Sequence, residues 1–178
     1  MSNTNIKTKN LVVSAMFAAV IAVCSQIAFV TPTGVPFTLQ TFAVCLCGYT
    51  IGKKRSFFAL AAYILLGAVG LPIFSSFSGG LGVLVGKTGG FIFGFIPLAF
   101  LCAFSTGLKN IVFKILLGIL GIAVCHAMGV LQFAFVANTG IGASFVLVSV
   151  PYLIKDAASV VISCLAAERI RPAINLDD

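Results

Sequence analysis

The sequence predicts an all-α integral membrane protein with six transmembrane helices and both termini in the cytoplasm. Of its 178 residues, 60% are hydrophobic and only 8% are charged, and the mean hydropathy is +1.18, which excludes a soluble domain. At about 20 apolar residues per span, this length allows six helices joined by short turns. We therefore expect a single membrane domain over residues 1–178, with most basic residues in the turns and tails.

The first three predicted spans cover about residues 11–30, 37–51 and 57–71. The first span ends at residues 31–36, where two prolines and a glycine break a helix. Residues 53–55, the sequence Lys-Lys-Arg, mark a membrane interface between the second and third spans. Pro72 ends the third span and opens an uncharged loop that is rich in glycine and serine.

The last three predicted spans cover about residues 81–104, 115–136 and 145–167. Lys109 and Lys114 flank the turn after the fourth span, and Arg169 and Arg171 close the sixth. The N-terminal tail, the turns after spans two and four, and the C-terminal tail hold two, three, two and two basic residues, and the other turns hold none. Because lysine and arginine stay on the cytoplasmic side, this alternation predicts cytoplasmic termini.

Composition also excludes several classes of function. The net charge of +7 comes from basic residues scattered in pairs, with no basic stretch that interleaves aromatic residues, so we expect no nucleic-acid binding. The single His126 and four acidic residues, two of them in the last four positions, supply neither a carboxylate pair nor a catalytic triad, so no enzyme and no cofactor are expected. Six cysteines lack metal or disulfide spacing and are predicted to pack as small hydrophobic side chains: Cys24, Cys45, Cys47, Cys102, Cys125 and Cys164.

Lys155 and Asp156 lie within the last apolar span, where a charged residue costs roughly 2.5–3.5 kcal/mol to insert. They belong to a polar stripe that follows helical steps of three or four: Ser149, Tyr152, Lys155 with Asp156, Ser159 and Ser163. At about 1.5 Å per residue, Lys155 is roughly 20 Å from Arg169 and so in the outer half of the membrane. A ligand site is predicted; the alternative is a structural pair, although adjacent helix residues point about 100° apart and a direct pair is awkward.

Other polar or small residues are weaker candidates. Gly82, Gly86, Gly90 and Gly94 recur every fourth residue, which favours close helix packing or, alternatively, a wall beside a ligand with a break at Gly89. Two further rows of small residues are explained by helix packing alone: Gly48 with Gly52, and Gly121 with Cys125 and Gly129. Residues near the outer surface are interpreted as solvated or as touching a solute: Thr38, Gln40, Thr41, Asn138 and Thr139. Lys87 is interpreted as reaching the interface, and His126 as a packing histidine without a partner at metal or catalytic spacing.

Three separated motifs resemble the BioY family, the biotin-binding S component of energy-coupling factor (ECF) vitamin transporters. They are the segments at residues 35–41 (VPFTLQT), 63–74 (YILLGAVGLPIF) and 79–91, which includes GG and GKTGGF. The resemblance implies a bacterial multi-pass membrane protein that captures biotin from outside and associates with a transmembrane coupling (T) component and two ATPases. Two positions depart from the family pattern: Lys87 stands where a proline is expected, and Tyr152 stands where an acidic residue is common. Asp156 is expected to take the role of that acidic residue.

The resemblance and the polar stripe together give the expected site. Biotin carries a carboxylate, a ureido group and an apolar ring, which require a cation, an acceptor and apolar walls. The expected substrate-binding residues are Lys155, Asp156, Tyr152, Gln40, Thr41, Gly86, Gly89 and Gly90, and either end of biotin could meet Lys155. Small residues spaced by four in the first span predict close packing of a partner helix, and the resemblance implies that Ala15 and Ala19 contact the coupling subunit.

Two other functions stay open at the level of sequence. One is a self-sufficient carrier of small solutes, which transports without partners. The other is a membrane scaffold whose polar stripe binds a partner helix and which has no saturable small ligand. Membrane lipids surround the chain in every case, and the affinity and the oligomeric state are not predicted.

Overall fold

The computed structural model describes the backbone of residues 2–29 and 31–174 and the side chains of residues 8–29 and 31–174. The side chain of Lys7, the end of the first predicted span at Val30, and the acidic tail from residue 175 lie outside the described part. Seven helices occupy most of the rest: α1 Ser2–Gln26, α2 Gln40–Ala68, α3 Leu81–Val85, α4 Gly89–Phe104, α5 Ile111–Ala137, α6 Ile141–Val148 and α7 Val150–Ile174.

Within the part of the chain that the structure describes, the fold is all-α, as predicted, apart from one antiparallel pair of two-residue strands, β1 Ala28–Phe29 and β2 Phe37–Thr38. Short 3-10 turns lie at Ser75–Phe77 and Ser105–Gly107. Within the described residues, four helical stretches are long and apolar enough to cross a membrane: Thr8–Gln26, Gly89–Gly107, Ile111–Ala137 and Val150–Ile174.

Helix α2 doubles back on itself at Gly52. This glycine has φ 78° and ψ 175°, outside the helical region and accessible to a residue without Cβ. Gln40 Nε2 donates to Tyr63 Oη at 2.7 Å, whereas 23 residues of straight helix would separate the two by about 35 Å. Residues 40–51 and 53–68 therefore form two antiparallel arms, which match the second and third predicted spans. The prediction that Gly52 shares a packing ridge with Gly48 is wrong, because Gly52 makes the turn.

The fourth predicted span is interrupted between α3 and α4, so its glycines do not form one continuous stripe. Gly90 and Gly94 pack against the α5 backbone at Met128 and Cys125, whereas Gly82 faces open space. Glycine disfavours a helix, and carbonyl groups left without helical partners need other donors. Their donor is Gln132 of α5, whose Nε2 bonds the carbonyl oxygens of Leu84 at 2.7 Å and Gly86 at 2.8 Å.

The sixth predicted span is also interrupted, between α6 and α7. Pro151 follows the break, and a proline has no N–H for the helix and clashes with the carbonyl four residues earlier. The fifth span begins earlier than predicted, so Lys114 lies within α5 and not in a turn. Lys114 is buried, and its Nζ pairs with Glu168 Oε1 of α7 at 2.5 Å.

The helices enclose one main core, and different polar contacts lie at the two ends of the bundle. Tyr63 and Phe74 are among the largest fully buried side chains, with ring centroids 5.4 Å apart. At the end that carries the basic residues, Arg55 Nε donates to Asn10 Oδ1 at 2.8 Å and Arg171 Nη1 donates to the Thr106 carbonyl at 2.8 Å. The opposite end carries the loop at residues 31–36 and the interrupted helices, and it contains the candidate site.

Five cysteines are buried in the main core, and Cys24 packs against it, as expected of small hydrophobic side chains. Among the described residues, no three His, Cys, Asp or Glu side chains lie close enough together to hold a metal ion.

Candidate functional site

A pocket opens between the loop at residues 35–38, the first turn of α2, and helices α4, α5 and α7. The space between its walls is about 630 Å³ including the open mouth, but only about 60 Å³ is wide enough for the centre of a water molecule. The pocket is therefore narrow in this structure. Its apolar walls are Val35, Pro36, Phe91, Ile92, Phe95, Leu98 and Ile122.

Lys155 supplies the cation of the pocket. Its Nζ donates to the Thr38 carbonyl at 2.8 Å, lies 2.5 Å from Asp156 Oδ1, and sits 5.0 Å from the centroid of the Phe37 ring. A lysine ammonium has three N–H donors, so these two polar contacts leave one for a ligand. Lys155 and Asp156 pair directly although helical geometry makes such a pair awkward, because the flexible four-carbon stem of lysine curves back to the adjacent carboxylate.

Asp156 connects Lys155 to a histidine that the sequence analysis left out of the site. Asp156 Oδ2 lies 3.0 Å from His126 Nε2, and His126 Nδ1 lies 2.7 Å from Ser149 Oγ. His126 is only 5% exposed and its ring packs edge-on against Phe91, with centroids 5.7 Å apart. The interpretation of His126 as a packing histidine without a partner is therefore wrong, because it contacts Asp156 and Ser149 and lines the pocket. Its position in mid-span was the available signal, since an ionisable residue there is costly.

Tyr152 joins α7 to the loop at the mouth of the pocket. Its hydroxyl donates to the Val35 carbonyl at 2.5 Å and lies 3.3 Å from Thr31 Oγ1, and its ring packs 5.5 Å from that of Phe37. The tyrosine therefore fixes one side of the mouth and replaces the expected acidic group with a hydroxyl.

Gln40 and Thr41, at the start of α2, also line the pocket, as does Thr38. Gln40 is 5% exposed and its amide nitrogen is engaged by Tyr63. The first turn of α2 thus presents polar groups opposite Lys155 and Asp156, which brings together five of the eight residues expected to bind substrate.

The three glycines of the expected site lie beside the pocket and are not among its lining residues. A Cβ at Gly86 would meet the carbonyls of α3, one at Gly89 would meet Leu84, and one at Gly90 would meet the α5 backbone. Their contacts are therefore with neighbouring helices, while Thr88 and Phe91 of the same segment face the pocket. A role for these glycines in binding stays a prediction.

The remaining candidates are outside the pocket lining. Lys87 is exposed in the break between α3 and α4. Asn138 ends α5 in the left-handed conformation, and Thr139 Oγ1 bonds Ser144 Oγ at 2.7 Å. Of the polar stripe on α7, Ser159 and Ser163 are buried but do not line the pocket. The residues of the α7 stripe that line the pocket are therefore confined to one helical turn, at Tyr152, Lys155 and Asp156.

This arrangement suits binding and not bond cleavage. A cation, a carboxylate, an imidazole, an amide and five hydroxyl-bearing residues line an otherwise apolar pocket, which complements a small molecule that has both an anionic group and hydrogen-bond donors. Each charged group has a partner, so the site tolerates its burial.

Comparison with known proteins identifies the family. The sequence model of the BioY family matches residues 1–176. The chain is 38% identical over 168 residues to the biotin transporter BioY of Thermotoga maritima, covering 92% of this chain and 96% of that protein. It is 35% identical over 165 residues to the probable biotin transporter BioY of Pyrococcus horikoshii, covering 93% and 98%. The fold matches the crystal structure of the S-component for biotin from an ECF-type ABC transporter with a TM-score of 0.84 and 24% identity, over 94% of this chain and 93% of that one. The chain therefore belongs to the BioY family, as its sequence motifs predicted.

Proposed function

We propose that this protein binds biotin and is the substrate-capture S component of an ECF-type vitamin importer. The observation that carries the proposal is the connected set of Lys155, Asp156 and His126 at one side of an apolar pocket, in a chain of the BioY family. Biotin has a carboxylate for a cation, ureido N–H groups for an acceptor, and an apolar ring and chain for the aromatic walls.

Lys155 is the group we assign to the biotin carboxylate, because it is the pocket's cation and retains one free donor. Asp156 pairs with Lys155 and accepts from His126 at Oδ2, and its buried Oδ1 has no hydrogen-bond partner among the described residues, so it can accept from a ureido N–H. The loop whose carbonyls at Val35 and Thr38 accept hydrogen bonds from Tyr152 and Lys155 is the wall that we expect to move when biotin enters. Opening of this loop widens the narrow pocket for entry.

A biotin titration of the purified, detergent-solubilised protein tests the proposal. We expect saturable binding of one biotin per chain and no comparable binding of an uncharged apolar molecule of the same size. Absence of saturable binding favours the membrane scaffold. Biotin accumulation in vesicles that contain this chain alone favours the self-sufficient carrier over a partner-dependent S component.

The proposal includes six membrane crossings with cytoplasmic termini. The two arms of α2 hold 12 and 16 residues, each shorter than the about 20 that a straight span needs, and their turn carries residues 53–55. Basic residues from α2, α5 and α7 meet at the end opposite the pocket, which supports a cytoplasmic basic end and an outward-facing pocket.

Cysteine labelling checks this topology. In a cysteine-free background that still binds biotin, we expect a membrane-impermeant thiol reagent added outside to label Thr33→Cys, Ser78→Cys and Thr139→Cys. The matched variants Lys54→Cys and Arg171→Cys should react only after the membrane is permeabilised. External labelling of either of these two contradicts the proposed orientation.

The partners in the proposal are a transmembrane coupling component and two ATPases, and the docking surface is the exposed face of α1. Ala15 and Ala19 are exposed on α1, while Ser14, Ala18 and Ile21 turn inward. Ala15 also lines an apolar groove between α1 and the second arm of α2. Two alanines four residues apart allow the backbone of a partner helix to approach closely.

Replacing Ala15 and Ala19 together by tryptophan is expected to abolish association with the coupling component while biotin binding persists, because two large rings fill the contact face far from the pocket. Co-purification with the partner subunits measures association, and titration measures binding. The control is Leu116→Trp with Leu120→Trp, an exposed pair of the same spacing on α5. Equal loss of association in the control, or loss of biotin binding in the alanine variant, counts against this face.

A further inference from the structure

We propose that His126 takes up one proton when the pocket binds the biotin carboxylate, so that this residue balances the ligand's charge and makes binding depend on pH. The inference rests on the proposed function and adds to it a second ligand-responsive residue. Its basis is the contact geometry of His126, which joins Asp156 on one side and Ser149 on the other.

The charge of the pocket is balanced before the ligand enters. Lys155 carries one positive charge and Asp156 one negative charge, and they lie 2.5 Å apart with side chains 15% and 6% exposed. The two contacts of His126 fit a neutral ring in which Nε2–H donates to Asp156 Oδ2 and Nδ1 accepts from the Ser149 hydroxyl, and we take this form as the state before biotin enters. Entry of a carboxylate adds a second negative charge beside a single lysine. A buried net charge is costly, so a compensating proton lowers the free energy of the bound state.

His126 is the group in this pocket best placed to accept that proton. Its Nδ1 faces the Ser149 hydroxyl, which can either donate or accept, so the same 2.7 Å contact serves the neutral and the protonated ring. Its Nε2 already faces the Asp156 carboxylate, which stabilises a positive ring. Histidine is also the side chain that ordinarily changes charge between pH 5 and 8.

The other titratable groups around the His126 ring are less suited to accept the proton that is taken up with the ligand. Asp156 and Lys155 of α7 are already paired with each other, and protonating Asp156 would weaken both of its contacts. Tyr152 of α7 and Cys125 of α5 also line the pocket, but a phenol or a thiol that already carries its proton has no basic site for a second one. From α4, Phe91 packs on the ring itself.

Calorimetric titration of the full chain with biotin, in buffers of different ionisation enthalpy near pH 7, measures the protons exchanged. We expect about one proton taken up per biotin, and a biotin affinity that falls by up to roughly tenfold per pH unit as the pH rises. Two comparisons locate the proton. His126→Gln keeps a neutral amide donor toward Asp156 and should show little uptake, and biotinamide, which lacks the carboxylate, should bind the unmodified protein without uptake.

The outcomes separate this inference from the proposed function. Biotin binding without proton exchange overturns the role of His126 and leaves the proposed function intact, whereas absence of biotin binding overturns both. Proton uptake that persists in His126→Gln assigns the proton to another group and overturns the inference. If that variant does not fold, the unmodified protein decides, because equal uptake with biotin and biotinamide also contradicts the charge-balance argument.

Discussion

Replacing Lys155 by methionine is expected to weaken biotin binding by roughly thirty-fold or more. Methionine keeps much of the length and the apolar stem of lysine but removes the ammonium that we assign to the biotin carboxylate. Loss of one partner from a buried charge pair costs about 2–5 kcal/mol, which corresponds to that factor or a larger one. Titration of purified protein measures the affinity, and thermal unfolding of the same samples separates a loss of binding from a loss of folding.

Two further variants make the Lys155 result specific. Lys155→Arg should not restore full affinity, because the planar guanidinium cannot occupy the position of a compact ammonium between the Thr38 carbonyl and Asp156. Lys87→Met removes a lysine that is exposed and does not line the pocket, so it should change binding little. An unchanged affinity in Lys155→Met would remove Lys155 from the site.

The helical framework was largely predictable, including the turn within α2, whereas the breaks between α3 and α4 and between α6 and α7 were less so. Hydropathy and the Lys-Lys-Arg segment placed a boundary where α2 turns at Gly52, because charges and glycine both disfavour a continuous apolar helix there. The break between α3 and α4 depends on Gln132, which is 46 residues beyond Gly86 and supplies the donor for its carbonyl. Such a long-range partner leaves no periodic signal near the break itself.

The site was predictable where its residues follow one another on a helix or, as for Gln40 and Thr41, stand in a motif of the family. Tyr152, Lys155 and Asp156 lie within one turn of α7, so helical spacing brought them together. His126 reaches the same place from α5, 30 residues before Asp156, and no local spacing links the two. The acceptors at Val35 and Thr38 are backbone carbonyls, which any residue type would offer at those positions. Sequence patterns therefore identify the charged side chains of the site but not the backbone carbonyls of the loop that contacts them.

The second large effect is expected on stability. Asp156→Asn removes the anion that faces both Lys155 and His126, and Lys155 then keeps only a carbonyl and the Phe37 ring as partners. Breaking one side of a buried pair costs about 3 kcal/mol or more, which lowers the unfolding temperature by roughly 6–12 °C for a chain of this size. Lys155→Met should cost less, because Asp156 retains the hydrogen bond of His126.

The double variant Lys155→Met with Asp156→Asn decides whether the pair itself is the cause. Removing both charges leaves no buried ion unpaired, so we expect the double variant to be more stable than the sum of the single effects, by about 2 kcal/mol, while biotin binding stays weak. The matched control is Lys114→Met with Glu168→Gln, an ion pair in which Glu168 is 51% exposed and water screens the charges; its coupling should stay below about 1 kcal/mol. Simple additivity at Lys155 and Asp156 contradicts a coupled pair. If stability recovers in the double variant but biotin binding does not, the two charges have both a structural role and a binding role. They stabilise each other in the empty pocket, and Lys155 binds the carboxylate when the ligand enters.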